Sequence, residues 1–322
     1  MRRSSALLAL AVLAAVATAA LGQAYPTRSV TLVVPTVPGG STDFSARLLA
    51  DPLSKALGQP IIVENRPGAS GNIGTQAVAK AAADGHMLLV QYSGYHTGNP
   101  ALFKGLQWDP VKDFAAVANL LIAPHVVTVH PGVPANTVKE FVELAKQKPG
   151  QVTYASSGNG SIQHIASEML AQMVGAKMVH VPYKGSGPAV TDLIAGRVDM
   201  FNTTPPGVIG QMKAGKLRAL AYTSTQRHPT MPDVPTSKEA GLPGYLVESW
   251  FAVFAPAGTP APVVARLTQE IRKVVESAEF KRKSEEQGAF GVYMDPPKLD
   301  AMVKKDLEHW GKVIRAGNIT AD

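Results

Sequence analysis

Short apolar runs alternate with amphipathic stretches of helical length along most of the 322 residues, and turns rich in glycine, serine and threonine join them. Few folds satisfy such a pattern. A buried run, a helix and a second buried run build a largely parallel sheet with helices packed on it. Val30–Val34 is the first such run. Pro38-Gly39-Gly40-Ser41-Thr42-Asp43 is a turn ending in good capping residues, and Phe44, Leu48, Leu49, Leu53 and Leu57 keep helical spacing behind it. Pro52 lies inside this helix and predicts a kink or an early break. Residues 61–63 read as a second strand, 68–74 as a loop, the alanine-rich stretch to Ala83 as a helix, and 87–90 as a third strand.

A break falls at residues 124–134, and a second α/β series begins. Thr137-Val138-Lys139-Glu140 is a capping box. Strands are expected at 126–129, 152–155, 178–181, 198–201 and 217–222, with helices between them. Residues 226–244 form a long irregular connection rich in proline, threonine and glycine. A strand at 250–254, with Trp250 as core, and two amphipathic helices close the chain. The middle of the chain thus reads as one α/β lobe inserted between the parts of another, with a hinge at two chain crossings and a cleft between the lobes. The expected division is 25–124 with 245–322 for one lobe and 125–244 for the other.

Arg2 and Arg3, the uncharged apolar run at 6–20 and the small residues at 22–24 have the order of a secretory signal peptide, so residues 1–24 are expected to be cleaved. The apolar run is short for a membrane span. The chain has no cysteine, which excludes disulfides, thiolate metal sites and cysteine nucleophiles. A net charge of +7 invites a nucleic-acid reading. The lysines are scattered, however, and Lys281-Arg282-Lys283 is followed by Glu285 and Glu286, as on a solvated helix face. Aromatic residues make up only 6%, too few for a stacking platform, so no nucleic acid is expected.

No catalytic or metal motif survives inspection. Gly68-Ala69-Ser70-Gly71-Asn72 has Asn where a nucleophile elbow needs Gly, and the histidines have no zinc spacing. What recurs is a hydroxyl- and glycine-rich loop opening a helix, at residues 39–43, 156–161 and 185–188. Free backbone N–H groups, hydroxyls and the positive end of a helix dipole together bind an anion without a charged side chain. Each loop alone is equally a well-capped helix start; three on two lobes point to a carboxylate site. Asp43 is either a first-turn acid paired with Arg47 or a group that fixes a ligand amine or waters. His164 is either an anion donor or an ordinary first-turn residue. Phe44, Tyr92, Tyr95 and His96 are either pocket wall or core, with Tyr92 favoured as wall by its place at a strand end.

Several stretches, in this order and spacing, resemble the Bug family, the periplasmic solute-binding receptors of tripartite tricarboxylate transporters. They include Pro38-Gly39-Gly40 with Thr42-Asp43, Val63-Glu64-Asn65-Arg66-Pro67-Gly68, Tyr154-Ala155-Ser156 with Gly158-Asn159-Gly160-Ser161, His180-Val181-Pro182-Tyr183-Lys184-Gly185, and Pro232-Asp233-Val234-Pro235-Thr236. The resemblance runs from Tyr25 to the end of the chain. It implies a two-lobed type II periplasmic-binding-protein fold, each lobe a mixed sheet flanked by helices, closing on a small carboxylated solute. It also implies a periplasmic location, delivery to membrane transporter subunits, and no enzymatic activity, cofactor or metal. A monomer is expected. A receptor of the same fold serving a membrane sensor, and a hydrolase using Ser41 or Ser157, are the alternatives.

The resemblance places ligand contacts at Gly39, Gly40, Ser41, Thr42 and Asp43, and at Ser156, Ser157, Gly158, Asn159, Ser161 and His164, and Phe44 joins the expected site as pocket wall. Tyr92, Ser93, Tyr95, Asn202 and Thr203 complete the expected site. The sequence departs from the family pattern at Val37, Phe44, residues 92–97 and Asn202-Thr203-Thr204, where ligand identity would be set. The aromatic residues tilt the expectation towards an aromatic acid or a dicarboxylate.

Overall fold

The computed structural model describes residues 25–317, 319 and 320, so the signal-peptide segment lies outside the described residues. The chain enters through β1 (Val30–Val34), α1 (Ser41–Leu57), β2 (Ile61–Asn65), α2 (Asn72–Ala79) and β3 (Met87–Tyr92). A π-helical turn (Gly94–Gly98) and α3 (Asn99–Leu102) lead to β4 (Phe114–Pro124). The second sheet follows: β5 (Val126–Val129), α4 (Val138–Gln147), β6 (Thr153–Ser156), α5 (Ile162–Val174), β7 (Val179–Pro182), α6 (Ser186–Ile194), β8 (Met200–Thr203), α7 (Ile209–Lys213) and β9 (Arg218–Tyr222). The chain then returns through β10 (Glu248–Pro256), α8 (Ala261–Glu276), α9 (Ala278–Glu286), β11 (Phe290–Met294) and α10 (Pro296–Ala316).

The first sheet has the order β11-β4-β10-β3-β1-β2 and the second β7-β6-β8-β5-β9. In each, strands joined through a helix run parallel, β1 with β2 and β3, and β6 with β7 and β8. Strands added after a change of sheet run antiparallel, β10 against β3 and β4, and β5 against β8 and β9. The first sheet is buried on both faces, as a helix-covered sheet must be. Leu32 packs in one cluster with Leu49, Leu53, Leu267 and Ile271, whereas its neighbour Val33 packs on the other face with Trp108, Trp250, Leu299 and Val303.

The sheets meet at a narrow joint. Only His125 separates β4 from β5, and the returning chain lies beside it. The His125 N–H donates to the Val247 carbonyl (2.9 Å) and to Thr223 Oγ1 (2.8 Å), while Thr223 Oγ1 donates to the Val247 carbonyl (2.5 Å). His125 Nε2 lies 2.8 Å from Ser249 Oγ. Burial lowers its pKa to about 3, so this imidazole carries no charge at neutral pH.

Three sequence expectations change. The helix α1 runs through Pro52 to Leu57 without a break. Pro52 is half-buried beside exposed Asp51, on a side where a lost backbone hydrogen bond is not sealed into the core. The second helix stops at Ala79, short of Ala83. The strand expected at 198–201 is displaced to Met200–Thr203, because pairing with β5 runs from Val129↔Met200 to Val126↔Thr203. Pairing across the sheet sets that strand, and it takes buried Asn202 and Thr203 into the ladder.

Candidate ligand-binding site

Helix N-termini from both lobes converge on the cleft. Gly40 caps α1, Ser161 caps α5 with its hydroxyl accepting the His164 N–H, and Gly185 with φ +124° opens α6. Gly40 faces Ser186 across the cleft, so that a Cβ added to Gly40 would lie 3.5 Å from Ser186 Cβ. The pole between α1 and α6 is lined on its polar side by Thr36, Gly40, Ser41, Thr42, Ser186 and Thr204, with Ser157 and Gln163 from the α5 end. Tyr92 and Phe251 supply the aromatic side. No lysine or arginine is among these lining residues. Thr36 is 8% exposed, and its hydroxyl has no hydrogen-bond partner among the described residues. A buried polar group without a partner costs free energy, which marks this hydroxyl as a candidate ligand contact.

The lobes are shut. Ser41 Oγ lies 2.6 Å from Thr204 Oγ1, and Tyr95 donates to the Ser157 carbonyl (2.7 Å). The Ile162 N–H donates to Tyr92 Oη (2.9 Å), Tyr92 in turn donates to Gln163 Oε1 (2.7 Å), and Ser70 Oγ donates to the Asn159 carbonyl (3.2 Å). The pole encloses about 10 Å³ in this state, room for a single water-sized group. Any group larger than a water fits there only after the lobes part. Beyond Ser157 lies a chamber of about 330 Å³, lined by Tyr95, Phe103, Ser157, Gly158, Asn159 and Lys184 among others. Its floor is the turn Gly68-Ala69-Ser70-Gly71, whose four residues all have positive φ (129°, 47°, 50° and 81°). Ala69 and Ser70 are non-glycine residues in the left-handed region, and such strain persists only where surrounding contacts impose it.

The remaining expected residues are placed as follows. Gly39 is exposed in the turn, and its N–H donates to Asp43 Oδ2 (3.1 Å). Asp43 is committed to structure: Arg47 Nε donates to Oδ2 (2.9 Å) and Asn65 Nδ2 to Oδ1 (3.0 Å). Burial opposes its charge, but the Arg47 guanidinium, the Gly39 N–H and the Asn65 amide outweigh burial and hold the carboxyl below its usual range. Phe44 packs half-buried against the first-lobe core and lines neither cavity. Ser93 accepts the Trp250 N–H (3.3 Å) behind the cleft. His96 stacks on Phe254, with ring centroids 4.3 Å apart, inside an aromatic core cluster. Ser156 lies 2.6 Å from His180 Nε2, and His164 stacks on His180 (3.8 Å) while its Nδ1 accepts the Gly160 N–H (3.1 Å). His164 thus braces the loop from behind; burial lowers its pKa. Asn202 and Thr203 lie within β8 and line neither cavity, whereas Thr204, one residue beyond the strand, lines the pole.

Sequence reasoning did not select Thr36, Gln163 or Phe251, and it reached Ser186 and Thr204 only as members of the 185–188 loop and the 202–204 stretch, not as named contacts. Ser186 and Thr204 carried a signal, a hydroxyl next to a helix start or strand end. Phe251 carried none, because only the long-range pairing Phe251↔Tyr92 brings it to the cleft.

Asp43→Asn is expected to lower stability by about 1–2 kcal/mol at pH 7, since charged hydrogen bonds are lost while Arg47 is half-exposed and screened. Because the folded pKa is the lower one, the wild-type advantage is complete above the unfolded value of about 3.9 and vanishes as pH falls through the folded one. Urea titrations of both proteins from pH 7 to pH 3 would show the two curves converging; a constant separation contradicts the assignment.

Comparison with known proteins agrees with this fold. Residues 45–319 match the family described as tripartite tricarboxylate transporter family receptor. The chain belongs to that family. Protein BugT of Bordetella pertussis is 36% identical over 292 residues, covering 90% of each chain. A Rhodopseudomonas palustris protein solved with adipate superposes with a TM-score of 0.90 at 36% identity, covering 92% of this chain and 99% of its own. MatC of the same organism, solved with bound malate, has a TM-score of 0.84 at 34% identity, covering 90% and 100%. The chain is therefore a Bug-like receptor with the two-lobed fold of periplasmic binding proteins. Among the described residues no helix is long and apolar enough to cross a membrane, and no cluster of three or more histidine or acidic side chains is placed to hold a metal.

Proposed function

We propose that this chain is a periplasmic receptor that closes on a small dicarboxylate and presents the closed form to the membrane subunits of a tripartite tricarboxylate transporter. One carboxylate lies between the N-termini of α1 and α6, and the rest of the ligand extends past Ser157 into the chamber that Lys184 overlooks. The observation that carries the reading is the convergence of two helix N-termini around the unpartnered, buried Thr36 hydroxyl. The adipate and malate held by the two R. palustris relatives support the ligand class. A dicarboxylate is preferred to an aromatic acid because the chamber offers Lys184 and the backbone of the 68–71 turn as well as apolar wall. Ser41 and Ser157 are bonded to Thr204 Oγ1 and Gln163 Oε1, neither of them a base, which favours binding over hydrolysis.

The test is a thermal-shift screen of the purified protein against mono-, di- and tricarboxylates, followed by mass spectrometry of the ligand. A dicarboxylate at 100 times its Kd is expected to stabilise the fold by about 2.7 kcal/mol and to be recovered unchanged. Turnover of the ligand, or a protein stripped by denaturation and refolding that responds to no carboxylate, would end the reading.

A further inference from the structure

Three helix N-termini approach the cleft, but one of them is already occupied. The first backbone N–H of α5, that of Ile162, donates to Tyr92 Oη at 2.9 Å. Tyr92 belongs to β3 of the opposite lobe, so this contact spans the cleft. The phenol then donates to Gln163 Oε1 (2.7 Å), which also accepts from Ser157 Oγ (3.0 Å). Each member of this chain is buried: Tyr92 is 3% exposed, Gln163 3% and Ser157 4%. The ring is held from two sides, stacked on Phe251 (5.9 Å) and edge-on to Tyr95 (5.2 Å). Gly94 leaves room for it, since a Cβ there would lie 2.6 Å from Tyr92 Oη. The hydroxyl therefore cannot swing aside while the lobes are closed.

We propose, resting on the dicarboxylate reading above, that Tyr92 selects ligand length. Its hydroxyl stands where a ligand oxygen would otherwise meet the N-terminus of α5, and it turns the Gln163 acceptor away from the ligand. Of the three N-termini, those of α1 and α6 are the ones left without such a cross-cleft partner in this part of the cleft. A second carboxylate close to the first finds the first backbone N–H of α5 already taken, and one placed further away reaches the chamber beside Lys184. Buried donors satisfied within the protein reject a competing ligand group by leaving it without partners. The receptor accordingly discriminates against short dicarboxylates and favours longer ones.

Calorimetric titration with succinate and adipate, two and four methylenes between their carboxylates, tests this in the wild type, in Tyr92→Ser and in Tyr92→Phe. The wild type binds adipate more tightly. Tyr92→Ser frees the Ile162 N–H and opens space, and the succinate-to-adipate affinity ratio rises at least tenfold. Tyr92→Phe keeps the ring and the packing, loses only the hydroxyl, and shifts the ratio in the same direction by about threefold; it serves should the serine variant fail to fold. The amide resonance of Ile162 gives an independent readout: succinate leaves it in place in the wild type and moves it in either variant. An unchanged ratio with at least one acid still bound overturns the assignment of Tyr92 and leaves the receptor reading standing. Failure of all three proteins to bind either acid overturns both.

Discussion

Replacing Gly187 by alanine is expected to weaken ligand binding roughly 5- to 150-fold while leaving the thermal stability of the protein without ligand unchanged or slightly raised. Gly187 is the second residue of α6, on one lobe, and a Cβ built on it would lie 2.9 Å from the Pro38 carbonyl oxygen on the other. That oxygen is backbone and cannot rotate away, so the methyl group acts as a wedge in the shut cleft. Overpacking of this kind costs about 1–3 kcal/mol, and here the cost falls on the closed form alone. The backbone conformation of Gly187 is one that alanine adopts freely, and alanine favours a helix by about 1 kcal/mol over glycine. Titration calorimetry with a ligand found by screening, combined with small-angle scattering, separates the two effects. Unchanged affinity would mean that ligand binding does not require the contact between α6 and the turn before α1.

Trp250→Ala is expected to destabilise the protein by about 3–5 kcal/mol, enough to remove much of the margin of an ordinary domain. Trp250 sits in β10, paired between β3 and β4, and is 3% exposed. Its ring packs with His96 (6.1 Å) and Phe254 (6.2 Å), and its indole N–H donates to Asp306 Oδ2 on α10 (2.7 Å). Truncation leaves a cavity and strips a part-buried carboxylate of its donor. Burial already raises the pKa of Asp306 against the pull of that hydrogen bond. An acid whose folded pKa is raised favours the folded state below its unfolded pKa and loses that advantage as pH rises towards the folded value. Trp250→Phe, which keeps most of the packing, should therefore lose stability more steeply than the wild type as pH rises above the ordinary carboxylate range. Urea midpoints between pH 3 and pH 8 measure this; parallel curves would show that the Asp306 contact contributes nothing.

The two-sheet architecture was legible because it rests on local signals. Apolar strands, the capping box at Thr137 and Glu140, and the αL stop at Gly175 are written within four or five residues of one another and reappear in the structure. The hydroxyl loops were legible for the same reason. What escaped depends on partners distant in sequence. The end of β8 follows its pairing with β5, which moved the strand two residues and put Thr204 rather than Asn202 at the cleft. Phe251 reaches Tyr92 through a pairing between residues 159 apart, a relation no periodicity encodes. Pro52 misled because the cost of a proline in a helix depends on which side of the helix it faces.

The joint at His125 has a mechanical consequence. Two crossings laced side by side, as the bonds among His125, Thr223 and Val247 lace them, form a short strap that bends across its width and resists twist and shear. Such a strap would favour one swing of the lobes over the others. Any gap held open at the pole is then reproduced at the outer rim, enlarged in proportion to the distance from the strap. A membrane protein resting on both rims would in this way read a sub-ångström difference between two cargoes as a change in span.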